Sequence, residues 1–309
     1  MSFVAGIGST NVDLLYENMR KIPAPGEEVY TDSFSLQLGG GLPATLINIG
    51  RLGIPARIAT ELGGDMFSSF ASQQYEKNNV APLNLYRGSK IPVNITSAII
   101  LKDDRSFVSY GKGDLECDDV TKEEFYRMAS GAKICLMTPR GFTDVYRKLK
   151  EEGTTLVLDM GWDDELGFDK YGEFLDLADY YTPNRKEALK LTGCESPYEA
   201  LLALKEHFRY PLVKVDKDGC LGIDDEGVFF CRSIDAFRNV DSTGAGDAFL
   251  AGLCYGLYYD FPFRECVKFG NVTGGKAVTA VGALSAYVTE SELKELAKSV
   301  IITDYAADC

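Results

Sequence analysis

The run Asp241-Ser242-Thr243-Gly244-Ala245-Gly246-Asp247-Ala248-Phe249 stands immediately before an apolar stretch with helical spacing. Two glycines let successive backbone N–H groups converge at a helix N-terminus, where the nest and the helix dipole hold a phosphate or a phosphoryl group in transfer. A carboxylate in the first turn of that helix repels a resting anion. Its presence makes sense if Asp247 accepts a proton from a hydroxyl while the neighbouring amides stabilise the phosphoryl group moving onto that oxygen. A plain glycine-rich turn with an Asp in the first helical turn is the alternative for the same residues.

These residues must be positioned by a fold, and the chain shows which one. β-branched runs at 3–7, 57–62, 134–137, 155–159, 180–182 and 212–215 alternate with helical patterns at 44–52, 67–78, 142–151, 186–191 and 198–207. That alternation predicts a mostly parallel sheet covered by helices. Three further helices are expected at 245–258, 263–281 and 290–299, the last opened by the capping box Thr289 to Glu292. Two stretches, 28–38 and 93–110, alternate apolar and polar residues as a half-exposed antiparallel sheet does. Built from two insertions, such a sheet makes a lid or a dimer surface. In open parallel sheets ligands bind beyond the carboxyl ends of the strands, and here those ends carry 8–13, 63–65, 138–140, 159–163, 184–187 and 216–219, rich in glycine and polar residues.

Composition limits the possible functions. The chain has 309 residues and a formal charge of −14, which argues against wrapping nucleic acid or coating an anionic membrane. His207 is the single histidine, so sites built on several histidines are excluded; its place near a helix end suggests a helix C-terminal partner. The eight cysteines are widely spaced with no C-x-x-C pair, and they read as free thiols of a cytoplasmic protein. The apolar run 3–7 is too short for a signal peptide and 248–259 too short to span a bilayer. Gly270 to Lys276 nearly spells a P-loop, but Ala277 stands where a magnesium-binding hydroxyl is needed. Gly6-x-Gly8 has Asn11 where a dinucleotide fingerprint needs glycine.

The string Asp241 to Phe249 resembles D-x-x-G-A-G-D-x-F, the C-terminal signature of the ribokinase-like (PfkB) carbohydrate kinases. Gly8 to Asp13 resembles that family's first-strand sugar motif. Gly39-Gly40-Gly41, leading to Arg51-Leu52-Gly53, resembles its N-terminal signature. Asn184 to Glu187 is similar to its N-x-x-E element, and Lys214 to Gly219 to its nucleotide-side turn. The resemblance runs through nearly the whole chain, in matching order and separation. It implies one three-layer α/β/α domain over residues 1–309, with a mostly parallel sheet and a small β-sheet lid from insertions at about 14–38 and 91–113.

The resemblance also assigns roles. Asp247 is implied as the general base, and the amides of Gly244, Ala245 and Gly246 as the anion hole. Asn11, Asp13, Gly40 and Gly41 are implied to bind the sugar; a short carboxylate accepts from two vicinal hydroxyls, and glycine allows close backbone approach. Lys214, Gly219 and Asn271, with Gly244 and Gly246, are implied to face ATP. Asn184 and Glu187 are implied to orient Mg²⁺, and Asp241 is similar to a residue that helps form a monovalent-cation site in some members.

Three positions depart from the family pattern, all toward the sugar. Ala44 stands where a sugar-contacting Asn is usual, with Asn48 one helical turn later. Asp159-Met160-Gly161-Trp162-Asp163 replaces D-x-N-x-R. Arg140 either meets a carboxylate or phosphate on the substrate or pairs with an acid of the rim. Trp162 either stacks on a sugar or base or serves as a core or interface aromatic. The reaction expected is therefore ATP-dependent phosphorylation of a small free sugar, because the rim offers few basic clamps beyond Arg105, Lys112 and Arg140. Two alternatives are a nucleoside kinase, with a slot built from Tyr30, Phe34, Phe107 and Tyr110, and a non-catalytic sugar or nucleotide sensor. A homodimer through the lid is expected, with no nucleic-acid or membrane partner.

Overall fold

The computed structural model describes residues 2–102, 104–111, 115–234 and 236–305. The chain begins with β1 (Val4–Ile7), β2 (Asn11–Glu17) and β3 (Ser33–Gly39), followed by α1 (Gly41–Arg51), β4 (Ala56–Thr60), α2 (Met66–Lys77) and β5 (Val80–Asn84). Then come β6 (Asn94–Ile100), β7 (Arg105–Tyr110), α3 (Asp119–Ala129), β8 (Ile134–Met137), α4 (Thr143–Glu151) and β9 (Thr155–Leu158). Next are α5 (Phe168–Leu177), β10 (Tyr180–Tyr181), α6 (Arg185–Thr192), α7 (Pro197–Leu204) and β11 (Leu212–Lys214). The remainder comprises β12 (Gly219–Asp224), β13 (Gly227–Arg232), α8 (Ala245–Tyr258), α9 (Phe263–Ala277), α10 (Glu290–Ala297) and β14 (Ile302–Asp304).

The main sheet is parallel and runs β10-β9-β8-β1-β4-β5. Its strands are apolar on both faces because both are covered. Ile134 and Leu136 enter the core under α1, α2, α8, α9 and α10, whereas Cys135 and Met137 enter the core under α3 to α7. These two cores make the expected three layers. A second, antiparallel sheet, β11-β12-β13-β14, continues the first through a bridge between Asn184 and Lys214. The C-terminal third thus ends in a strand, β14, as well as helices; three residues are too few to carry a period.

The lid sheet has the order β3-β2-β6-β7, with β2 and β6 parallel and the other pairs antiparallel. Its extent corrects the sequence reading at both ends. Residues 28–32 form no strand, while β2 starts at Asn11, so Asn11 and Asp13 belong to the lid and not to a turn of the rim. Residues 112–114, including Lys112, lie outside the described residues.

Register fixes the lid's two faces. Asp13 pairs with Gln37 on one side and Thr96 on the other, and Thr96 with Ser109. Arg105 and Phe107 follow on that polar face at two-residue steps. Leu14, Tyr16, Phe34, Leu36, Val108 and Tyr110 share the opposite face, where Val108 and Tyr110 are exposed and Tyr16 and Phe34 are in ring contact. The aromatics expected to act together are therefore divided between faces.

Candidate active site

Helix α8 begins at the rim with Gly244 at its N-cap in the left-handed region, φ 75°. A Cβ there would stand 2.6 Å from Ala283 Cα, so glycine is required twice over. Asp241 Oδ1 accepts from Thr243 N at 3.0 Å and Oδ2 from Gly282 N at 2.9 Å, which fixes the loop entering the helix. The amide of Ala245 donates to Ser242 O at 3.2 Å. This corrects the expected anion hole: among the described residues, the amides left without a backbone partner at this helix start are those of Gly244, Gly246 and Asp247.

Asp247 lies in the first turn of α8, half-buried. Its carboxyl is held well above the ordinary range, first by burial and then by the charge of Asp159, with Lys214 opposing. Asp159 ends the parallel strand β9, and its carboxyl is raised by burial against the pull of Lys214. Both carboxylates reach the start of α1. A Cβ on Gly41 would lie 3.2 Å from Asp247 Oδ1 and 3.7 Å from Asp159 Oδ2. The sequence places Asp159 at a strand end on the rim and at the head of an altered motif, but its meeting with Asp247 is a product of strand order.

Lys214 ends β11, with Nζ 3.3 Å from where a Cβ on Gly246 would stand. Among the described residues it has no carboxylate within ion-pair distance, yet its charge is felt by Asp159, Glu187 and Asp247. An unpaired ammonium beside free helix-start amides is a strong anion site.

Asn184 and Glu187 form the capping box of α6: Glu187 N donates to Asn184 Oδ1 at 3.0 Å, and Asn184 N to Glu187 Oε2 at 2.8 Å. One oxygen of each side chain is thus committed to the helix start. Glu187 is buried, which raises its carboxyl, while Asn184 and Lys214 pull it down. No group of three or more His, Cys, Asp or Glu side chains able to hold a metal occurs among the described residues. The remaining Glu187 oxygen fits an ion that keeps most of its waters and leans on phosphate oxygens, as Mg²⁺ does.

Asp13 stands across the opening on the lid. Asn11 Nδ2 donates to Asp13 Oδ1, and Thr96 Oγ1 donates to Asn11 Oδ1 at 3.3 Å. Burial raises the Asp13 carboxyl to about 6 despite the Asn11 bond. A Cβ on Gly39 would collide with Asp13 Oδ2 at 2.0 Å, and Gly40 has φ 83°. The glycine triplet therefore makes room for the carboxylate before any ligand is considered.

Asn271 and Gly219 are committed to packing. Asn271 is buried, and its amide nitrogen donates to Cys231 O at 3.2 Å and Arg232 O at 3.1 Å, tying α9 to β13 rather than facing the opening. A Cβ on Gly219 would strike Cys231 O at 2.0 Å, so strand packing explains that glycine. Ala44 and Asn48 are buried within α1. Arg140 follows β8 on the rim, exposed. Trp162 is exposed and donates to Asp164 Oδ1 at 3.0 Å, so it is no core aromatic. His207 stands just past the end of α7, where its amide donates to Leu204 O at 3.1 Å, and its ring stacks on Phe168 with centroids 4.4 Å apart. The short P-loop-like run lies inside α9, as its helical spacing implied.

Asp241 does not fit a monovalent cation. Besides Thr243 N and Gly282 N, its carboxylate accepts from Thr243 Oγ1 at 2.8 Å and Arg105 Nη1 at 3.0 Å. Three donors, among them the positive guanidinium of Arg105, meet Oδ1, and Gly282 N meets Oδ2.

Comparison with known proteins finds relatives along nearly the whole chain. A model described as pfkB family carbohydrate kinase matches residues 1–290. Mouse ribokinase is 22% identical over 94% of this chain and 93% of its own length. The structure of Arabidopsis thaliana ribokinase complexed with ribose and ATP matches 96% of this chain and 99% of its own, with a TM-score of 0.79 at 21% identity. An E. coli chain solved with ATP and Mg²⁺ covers 96% of this chain and 99% of its own, with a TM-score of 0.77 at 20% identity.

Proposed function

This chain belongs to the pfkB family of carbohydrate kinases, and from that premise we propose that it transfers the γ-phosphoryl group of ATP to a hydroxymethyl group of a small free sugar through Asp247. The observation that carries this reading is the convergence of Asp247 with the open amides of Gly244 and Gly246, with Lys214, which has no ion-pair partner among the described residues, and with the bare Cα of Gly41. A hydroxyl lodged against Gly41 is within reach of Asp247 Oδ1. Asp13, oriented by Asn11, accepts hydrogen bonds from other hydroxyls of the same sugar.

The chemistry then follows from the groups in place. Asp247 takes the hydroxyl proton as the O–P bond forms, and the bond from the γ-phosphorus to the bridging oxygen breaks, releasing ADP. The helix-start amides and Lys214 stabilise the charge on the phosphoryl oxygens, worth roughly 10² to 10³ in rate per donor. Mg²⁺, when bound, neutralises phosphate charge; Glu187 and Asn184 would hold it with its waters. The polar lid face excludes solvent over the site. A sensor needs neither a base nor open amides, so the retention of both supports catalysis.

The finer reading is a single domain over 1–309 that pairs through the lid. The exposed Phe34, Val108 and Tyr110 on the outer lid face support a homodimer. Free thiols at all seven described cysteines support a reducing, cytoplasmic setting, and no helix among the described residues is long and apolar enough to cross a membrane. A nucleoside substrate is the second reading, favoured by Phe107, exposed on the site-facing side of the lid.

The test is ADP release from Mg·ATP over pentoses, hexoses, sugar acids and nucleosides, with Asp247→Asn alongside. Turnover of one free sugar by the native protein alone is expected. Preference for a sugar acid would assign Arg140 to its carboxylate; preference for a nucleoside would replace the sugar reading; normal turnover by Asp247→Asn would remove the base.

A further inference from the structure

Asp241 is the point where the lid reaches the phosphoryl side of the site. Arg105, the first residue of β7, places Nη1 3.0 Å from Asp241 Oδ1 and 2.7 Å from Thr243 Oγ1. Both acceptors lie within the three residues before Gly244, so the guanidinium grips the loop that leads into the anion hole. A second tie approaches from the other side of the lid. Gln37 of β3, the cross-strand partner of Asp13, donates from Nε2 to Ser285 Oγ at 2.7 Å. Ser285 lies three residues beyond Gly282, whose amide is the donor to Asp241 Oδ2.

Burial acts to raise the Asp241 carboxyl, but the bonds from Gly282, Thr243 and Arg105 outweigh it and leave it below the ordinary range. It is therefore an anion at neutral pH with a counter-ion supplied by the chain itself. An incoming alkali cation would have to sit beside the positive charge of Arg105. That cost recurs at every binding event, whereas the guanidinium is covalently attached to the lid.

We propose that Arg105 is the resident counter-ion of Asp241 and a positioning residue that couples the lid to the anion hole, in the place of an exchangeable monovalent cation. While Arg105 holds Asp241, the sheet that carries Asp13 and the loop that carries the anion hole are held together. Lowering the lid over a sugar sets the amides of Gly244, Gly246 and Asp247 for the phosphoryl group. Opening the lid withdraws the guanidinium and leaves the loop without one of its ties. This inference rests on the kinase reading for its catalytic consequence, but the mechanical tie does not.

The experiment compares native protein, Arg105→Ala and Arg105→Lys in two ways. Steady-state turnover is measured at constant ionic strength in potassium, sodium and tetramethylammonium chloride. Native turnover is expected to agree within about twofold across the three salts. Arg105→Ala should lose about 10- to 100-fold in kcat and raise the sugar KM, with Arg105→Lys recovering part of the loss. Hydrogen exchange of the ligand-free protein supplies a readout independent of turnover. Amides of 241–247 should exchange about tenfold faster in Arg105→Ala while those of β1 and β8 keep native protection, which also shows that the variant is folded. Activation of the native protein by potassium of more than about tenfold, or unchanged exchange at 241–247, overturns the proposal. If no compound is phosphorylated yet exchange at 241–247 rises in Arg105→Ala, the kinase reading fails and the tie stands.

Discussion

The pairing of Asp247 with Asp159 makes a quantitative prediction about pH. Two oxygens that both approach the Cβ position of Gly41, at 3.2 and 3.7 Å, are at most about 7 Å apart. Two unit charges at about 7 Å repel by about 2.4 kcal/mol at an effective dielectric of about 20. Both side chains are half-exposed, and solvent screening of that repulsion to half leaves about 1.2 kcal/mol. Asp159→Asn should therefore weaken proton binding at Asp247 by between roughly eightfold and fiftyfold. The sign follows from the causes. The Asp159 charge raises the Asp247 carboxyl and Lys214 lowers it, so the acid limb of kcat should move to lower pH in Asp159→Asn and to higher pH in Lys214→Met. The assay is kcat against pH with both substrates saturating, so that the limb reports the bound complex. An acid limb that stays fixed in both variants, or moves upward in Asp159→Asn, would refute the electrostatic coupling and with it the assignment of Asp247 as the titrating base.

Three further outcomes are expected. Because the Asp13 carboxyl is raised to about 6, and only its ionised form accepts from two hydroxyls, the sugar KM should climb as pH falls through about 6 while the ATP KM stays level; equal changes in both would detach Asp13 from the sugar. Gly244→Ala places a Cβ 2.6 Å from Ala283 at φ 75°, a strain of about 1–2 kcal/mol before the loop shifts. That variant should lose roughly 10² to 10³ in kcat and melt earlier, and native turnover would show that the hole tolerates displacement. Asp247→Asn removes a carboxylate whose ionised form is disfavoured by burial and by Asp159. At neutral pH it should raise the melting temperature by about 2–4 °C while abolishing turnover, a gain that should shrink as pH falls through the raised carboxyl range and the native side chain is neutralised. A lowered melting temperature at neutral pH would show that the charge is satisfied in the resting protein.

Local chemistry was legible in the residues themselves. The Asp241 to Phe249 run required a tight left-handed turn into a helix, and Gly244 supplies it. Asn184 with Glu187, and Thr289 with Glu292, encode capping boxes that need only a few neighbouring residues, and both form. Strands such as β8, continuous in apolar side chains, announced burial on both faces. The short strand β14 and the start of β2 escaped because they are too brief or too polar to show a period.

Side-chain meetings across the chain were a different matter. Asp159 reaches Asp247 because β9 and α8 end at one rim of a sheet ordered β10-β9-β8-β1-β4-β5, and strand order depends on long-range packing. Asn271 turned inward because α9 packs on β13, which no local pattern records. Arg105 found Asp241 only once the lid register placed it on the site-facing side. The sequence by itself determined the turn, the caps and the helix start that make an anion hole, since those depend on backbone geometry over a few residues. The tertiary structure alone decided which charges surround that hole, because electrostatic coupling depends on distances set by folding between residues far apart in the chain.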